Sequence, residues 1–286
     1  MDTLLEIVTQ ANTKKCKVSD IIIEVEAKRA DKSVEEVIAQ MEQYWQIMKD
    51  GIKKGLSPDV KSVSGLTGGD ARKYYNNNKG LLGTTSMKAV AYAMAMAEVN
   101  ASMGKIVATP TAGSCGILPG VLLAISEERD IEDENIVKAL FTAASVGTII
   151  AKKGTVAGAE GGCQAECGSA AAMAAAAVVE LLGGSLEDML HAVAISLKNI
   201  MGLVCDPVAG LVEVPCIKRN GGCATMAMMA SDMALAGVRS VIPADEVIVA
   251  MAEVGEMMPV ELKETSMAGL ANTPTARNIE EKLGGN

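Results

Sequence analysis

Apolar residues recur at three- and four-residue spacing along most of this chain, the pattern of helices that turn one face to a core. Thr3–Thr13, Val18–Arg29 and Ser33–Lys54 carry it in ordinary amphipathic form, and Ser33-Val-Glu-Glu36 offers a capping box to the third. Over 56–82 the pattern breaks. Gly65, Gly68, Gly69 and the polar run Asn76–Asn78 predict a loop, expected to be partly mobile. Thr84 or Thr85 can cap the next helix, ending near Gly104, and TPTAGSCGILPG (109–120) predicts a turn feeding a helix from Pro119 to Arg129. Helices are predicted over Glu134–Lys153, over Gln164–Leu182 before Gly183–Gly184, and from the Ser185-Leu-Glu-Asp188 box to Met201. Gly221–Ala236 and Pro243–Met258 complete the set, before a Gly- and Thr-containing tail, LKETSMAGLANTPTARN.

No stretch alternates with period two and β-branched residues, so the predicted fold class is all-α. Ala170–Val179 has no charged stripe, which predicts a helix buried on every side. Such a helix needs others packed around it, so the expectation is a single compact multi-helix domain over 1–286. Within it, 1–55 forms an N-terminal helical segment and 56–286 a core rich in Ala, Gly and Met.

Composition narrows the class. The 286 residues are 49% hydrophobic, enough for a substantial core. One Trp, four Tyr and one Phe stand against 18 Met, so small side chains let helices approach and Met fills the irregular gaps. A net charge of −9 disfavours nucleic acid, and Lys14/Lys15 and Lys53/Lys54 read as solvated surface. MDTLLEIVTQ is an acidic amphipathic start rather than a basic-plus-apolar leader, which predicts a cytosolic, cytoplasmic protein. Ala139–Ala151 and Ala170–Val179 fall short of the roughly 20 residues that span a bilayer, so no membrane association is expected. Seven cysteines at irregular spacing read as thiols or metal ligands rather than a disulfide framework.

Three of those cysteines stand in Gly- and Pro-rich settings: Cys163 in EGGCQAE, Cys205 in GLVCDPVAG and Cys216 in EVPCIKRN. Thiolates select zinc, copper(I) or iron–sulfur clusters, and three without an evident fourth point to a cluster with one open, Lewis-acidic iron. Cys163 opens the helix Gln164–Leu182, where free N–H groups favour a thiolate. The spacing matches no CxxC-type pattern, so buried structural thiols explain it equally well. Cys167 lies one turn beyond Cys163 and could face the same site, although its Ala-rich helix favours a core reading; Cys16 and Cys223 read as core. TPTAGSCG, around Cys115, and SGLTGGD (64–70) read either as ordinary turn and linker or as donor-rich loops for a carboxylate. The single histidine, His191, sits in the apolar helical setting DMLHAVAI and reads as structural, and no pyridoxal-phosphate lysine motif is evident.

GTVAGAEGGCQAECGSAAAMAAA (154–176), MGLVCDPVAGLVEVPCIKRN (201–220), TPTAGSCGILPG and SGLTGGDARK (64–73) together closely resemble the α subunit of bacterial iron–sulfur-dependent L-serine dehydratase (L-serine ammonia-lyase). The likeness runs over nearly the whole chain. It implies that Cys163, Cys205 and Cys216 hold a [4Fe-4S] cluster and that Ser64, Thr67, Gly68, Thr111 and Ser114 lie near the substrate. The implied reaction is β-elimination of water from L-serine to give pyruvate and ammonia, a step in amino-acid degradation and gluconeogenesis. The open iron would polarise the hydroxyl that leaves, and a general base would take the Cα proton.

Two departures bear on that picture. The family's Ser-Ser-His-Thr segment, associated with its base, is absent here; in two-subunit members it belongs to a separate β subunit. The resemblance therefore implies an L-serine dehydratase β subunit as partner, with the base on it and the active site between chains. Single-chain relatives end in a cysteine that can take the cluster's fourth position, whereas this sequence ends EEKLGGN. Three other readings stay open: an L-cysteine desulfidase of the same family, a structural zinc or electron-transfer protein, and a helical scaffold with buried thiols. An exposed cluster with an open iron is also expected to be oxygen-labile.

Overall fold

A computed structural model describes residues 1–77 and 79–284. Thirteen α-helices are found among them: α1 (Leu4–Lys14), α2 (Val18–Ala30), α3 (Val34–Gly55), α4 (Asp70–Tyr75), α5 (Thr84–Ala101), α6 (Ile117–Arg129), α7 (Asp133–Lys153), α8 (Gly158–Gly161), α9 (Ser169–Leu181), α10 (Leu186–Ile200), α11 (Cys216–Leu235), α12 (Ala244–Met257) and α13 (Pro274–Lys282). The described residues contain no strand, only an isolated bridge between Cys205 and Lys263. The fold is all-α.

Two poorly polar helices form the centre. Every residue of α9 from Ser169 to Val179 is buried, under α6, α7, α10 and α11. Its alanines leave no side chain to hold neighbours off, so the surrounding helices sit close on all sides. The second, α5, is buried from Ala91 to Val99 and runs between α3, α4, α6 and α11. Here Gly120 of α6 faces the α5 backbone so closely that an added Cβ would lie 2.6 Å from the Ala93 nitrogen. α7 is long and apolar enough to cross a bilayer by composition, yet 67% of that window is buried inside the protein. The capping boxes at Ser33 and Ser185 are both formed, each hydroxyl accepting from the N–H three residues on.

Local pattern misplaced several elements. The stretch 56–82 is not one loop: it contains α4, and Val60, Ser62, Thr67 and Ala71 are buried. Its cap is remote, because buried Glu98 of α5 accepts from the N–H groups of Gly69, Asp70 and Ala71 at 3.0, 2.8 and 3.3 Å. No local signal announces such a cap. Of the run Asn76–Asn78, Asn78 lies outside the described residues. α6 begins at Ile117 rather than Pro119, since a proline in the first turn removes an N–H that would go unpaired anyway. α11 begins at Cys216, five residues before Gly221; the Asn-Gly-Gly run stays helical because Gly221 packs against Val90 and Met94. The tail folds too, as short 3₁₀ turns and α13, capped by the Thr273 hydroxyl, which accepts from the Ala276 N–H.

Candidate functional site

Five segments converge around the cysteines: the loops 62–68 and 109–116, the turn from α8 into α9, the loop 203–216 and the stretch 262–270. The predicted helix over 164–182 opens instead as a π-turn, Gln164–Gly168, before α9 continues. π-turns recur at functional sites because the extra residue re-aims side chains. Gln164, itself buried, holds this one in place: its Nε2 donates to the Met251 carbonyl at 3.0 Å and its Oε1 accepts from the Gly202 N–H at 2.8 Å. The turn presents Cys163, Glu166 and Cys167 one after another.

The Cys163 and Cys205 sulfurs and the Glu166 carboxylate lie within 4.8 Å of one another. Cys216 is outside that group, buried at the start of α11, although near enough for the Cys163 and Glu166 charges to act on it. Cys167 is buried, and its sulfur lies 3.7 Å from that of Cys163. Cys16, half-buried, and Cys115 and Cys223, both buried, lie outside the metal-sized group.

Charge is distributed unevenly among these groups. The S–H groups of Cys167 and Cys205, helped by the Arg219 guanidinium, hold the Cys163 thiol at about 3 against the opposing effect of burial. Cys205 and Cys167 are pushed the other way, chiefly by their contacts with Cys163, and burial takes Cys216 up to about 12. Cys163 is therefore the most readily ionised thiol of the four, and the thiolate is the form that binds metal. Burial also raises Glu166 to about 7, opposed by a bond from the Thr111 hydroxyl and reinforced by the Cys163 and Glu264 charges.

The chain makes room for this carboxylate. A Cβ on Gly158 would stand 2.8 Å from Glu166 Oε2 and 3.1 Å from the Cys205 sulfur, and one on Gly113 would stand 3.3 Å from Glu166 Oε1. Side chains at either position would intrude into the space between the thiols and the loop 109–116.

Three polar residues lock the surrounding loops, and none stood out by pattern. Asn220 of α11 is fully buried: its Oδ1 accepts from the Gly116 N–H at 3.0 Å, and its Nδ2 donates to the carbonyls of Gly113 at 2.7 Å and Cys216 at 3.0 Å. It ties the loop 109–116 to the turn carrying Cys216. Arg219 donates to the Val204 carbonyl at 2.9 Å and to Asp206 at 2.8 Å, bracing the loop beside Cys205. Glu213, buried between Cys205 and Cys216, accepts from the hydroxyls of Ser64 at 2.8 Å and Thr67 at 3.0 Å.

Those bonds settle how the two donor-rich loops differ. In the loop 62–68 the hydroxyls of Ser64 and Thr67 are engaged by Glu213, and the N–H groups of Leu66 and Thr67 by the hydroxyls of Ser64 and Ser62. Gly68, at φ +135°, lies against the backbone of Val60 and Lys61, where a Cβ would overlap. In the loop 109–116, Ser114 is buried and donates to the Thr109 carbonyl, while the Thr111 hydroxyl lies 3.1 Å from that of Ser114. The N–H groups of Thr111, Ala112, Gly113 and Ser114 find no acceptor among the described residues; Ser114 is fully buried, so the open donors are those of 111–113.

His191 takes no part. Its Nδ1 accepts from the Ser240 N–H at 3.1 Å, on the side of α10 that faces the 240 loop, in keeping with a structural role.

The donor set suits a soft metal centre: several thiols with one ionised, a positive guanidinium beside it, and backbone carved away by glycine. A family profile described as "Serine dehydratase alpha chain" matches residues 13–271. The "Probable L-serine dehydratase, alpha chain" of Bacillus subtilis is 49% identical over 283 residues, covering 98% of this chain and 94% of that one. The "L-serine dehydratase, alpha chain" of Peptoniphilus asaccharolyticus is 44% identical over 282 residues, covering 98% of this chain and 97% of its own length. A longer relative, the "L-serine dehydratase" of Streptomyces coelicolor, is 36% identical over 255 residues, 86% of this chain but 56% of the relative.

Proposed function

Because the chain belongs to the serine dehydratase alpha-chain family, we propose that it is the α subunit of an L-serine dehydratase, a lyase that eliminates water from L-serine and works with a separate β subunit. The observation that carries this reading is the gathering of Cys163, Cys205 and Glu166 within 4.8 Å beside a loop with unengaged N–H donors. In this reading the thiolates of Cys163, Cys205 and Cys216 hold a [4Fe-4S] cluster, which when bound supplies a Lewis-acidic iron for the substrate hydroxyl.

The remaining work falls to the chain's own residues. The unengaged N–H groups of Ala112 and Gly113 receive the substrate carboxylate, with Thr111 beside them and Ser114 buried behind them. The loop containing Ser64, Thr67 and Gly68 forms a second wall, held on the cysteine loop by Glu213. Elimination needs loss of the Cα proton and departure of the Cβ hydroxyl as water; the aminoacrylate left behind hydrolyses to pyruvate and ammonium. His191 lies on the side of α10 that faces the 240 loop, outside the segments gathered around the cysteines, so the base for the Cα proton is assigned to the partner chain, which makes the active site a shared one. Free thiols without disulfides fit a reducing, cytosolic setting.

The test is anaerobic reconstitution with iron and sulfide, alone and with a candidate β subunit, following visible absorption and pyruvate release from L-serine. A brown species holding about four irons, making pyruvate only with the partner, is expected. Cys163→Ser, Cys205→Ser and Cys216→Ser should each lose iron and abolish pyruvate formation while keeping helical circular dichroism. Three-cysteine zinc binding with no pyruvate under either condition would overturn the reading.

A further inference from the structure

The Glu166 carboxylate, which lies closest to the candidate ligand sulfurs, has no part in the proposed reaction. It is held on a π-turn rather than a mobile loop, its oxygens come within 4.8 Å of two cysteine sulfurs, and Gly113 and Gly158 leave open the volume beside it. None of the ion pairs among the described residues includes it. The guanidinium in the site, Arg219, is paired with Asp206 and the Val204 carbonyl instead. The polar side chain that reaches it is the Thr111 hydroxyl of the loop 109–116. Fixed beside open volume and paired with no side-chain cation of the described residues, this carboxylate has a bound cation as its complement.

The substrate class supplies one. An α-amino acid presents a carboxylate, which suits the N–H groups of Ala112 and Gly113, and an ammonium on the adjacent carbon, which needs an acceptor nearby. Gly113 adjoins both the free N–H donors and the Glu166 oxygens, so one small ligand can span the two. We infer that Glu166 accepts the substrate's α-ammonium group and is the residue that selects amino acids over the corresponding hydroxy acids. This rests on the proposed dehydratase reading and adds to it a specificity-determining contact within this chain.

The experiment compares the reconstituted αβ holoenzyme with its Glu166→Gln and Glu166→Asp variants. It measures KM and kcat for L-serine, the inhibition constant of L-glycerate, in which a hydroxyl replaces the ammonium, calorimetric binding of unreactive L-alanine, and iron content with visible absorption. In Glu166→Gln, the KM for serine and the Kd for alanine should rise by about 30-fold or more, the scale for removing one partner of a buried charge pair. Glycerate inhibition should hold or tighten, and iron content should stay as in the unmodified enzyme. Glu166→Asp, which keeps the charge, should fall between the two and carries the test if the glutamine variant fails to assemble.

Three results would overturn the inference. A fall in kcat at unchanged KM would make Glu166 a proton-transferring group. Altered absorption or iron content would make it a cluster ligand. Equal weakening of serine and glycerate would reduce it to a structural role. A wild-type complex that makes no pyruvate defeats the dehydratase reading itself, so the two failures are told apart.

Discussion

At the scale of single residues, the site depends on buried polar side chains whose every bond is spoken for. Asn220 uses its oxygen and its amide nitrogen to join the loop 109–116 to the turn at Cys216, with no solvent to substitute for it. In Asn220→Ala the Gly116 N–H and the Gly113 carbonyl would lose their partner, at roughly 1–3 kcal/mol for each buried group left unpaired. Chemical denaturation should show a loss of about 3 kcal/mol, and kcat/KM for L-serine should fall further than stability does if the loop 109–116, which loses its anchor, receives the substrate as proposed. A loss of stability with unchanged kcat/KM would separate Asn220 from the site. Glu166 and Glu213 follow the same logic from the acidic side. Both stand inside the sequence motifs, Glu166 three residues after Cys163 and Glu213 three before Cys216, yet only the folded chain shows one open toward the thiols and the other tying down Ser64 and Thr67.

At the scale of elements, helix spacing is set by what is missing from the side chains. Gly120 lets α6 lie on the α5 backbone, and helix propensity alone would make Gly120→Ala stabilising by about 1 kcal/mol. The new Cβ would meet the Ala93 nitrogen at 2.6 Å, and that atom is backbone at the middle of a buried helix, unable to swing aside. Overlap should therefore win, with a net loss of about 1–3 kcal/mol in urea unfolding; a stabilised variant would mean that the two helices are free to separate. The periodicity of apolar positions was sufficient to find the long helices within a few residues, because a 3.6-residue stripe is a local property. It missed α4, whose cap comes from Glu98 on α5, and the π-turn, which depends on Gln164 reaching Met251 and Gly202. Both are stabilised by partners distant in the chain.

At the scale of the whole molecule, 35 acidic against 26 basic residues make an anionic protein whose stability responds to pH through its buried carboxylates. Burial raises Glu98 above its ordinary 4.5, and the three N–H groups of α4 offset only part of that cost. A raised carboxyl contributes stability that is present in full below the unfolded pKa and lost as pH climbs through the folded one. The wild type should accordingly lose stability relative to Glu98→Gln as pH is raised above 4.5, with the change read from denaturation midpoints across pH; a pH-independent difference would show that Glu98 ionises as freely in the fold as outside it. The all-α class, the uncharged stretch Ala170–Val179 of α9 and the three conspicuous cysteine settings followed from sequence alone, since composition and periodicity dictate which surfaces must leave water. Tertiary structure decided the rest. It brought Cys163 and Cys205 together with Glu166, set Cys216 apart from that group, and determined that the free amide donors belong to 109–116 while those of 62–70 are mostly engaged within the chain. A site is assembled from groups distant in sequence, and their distances and remaining hydrogen-bond capacity exist only once the helices have packed.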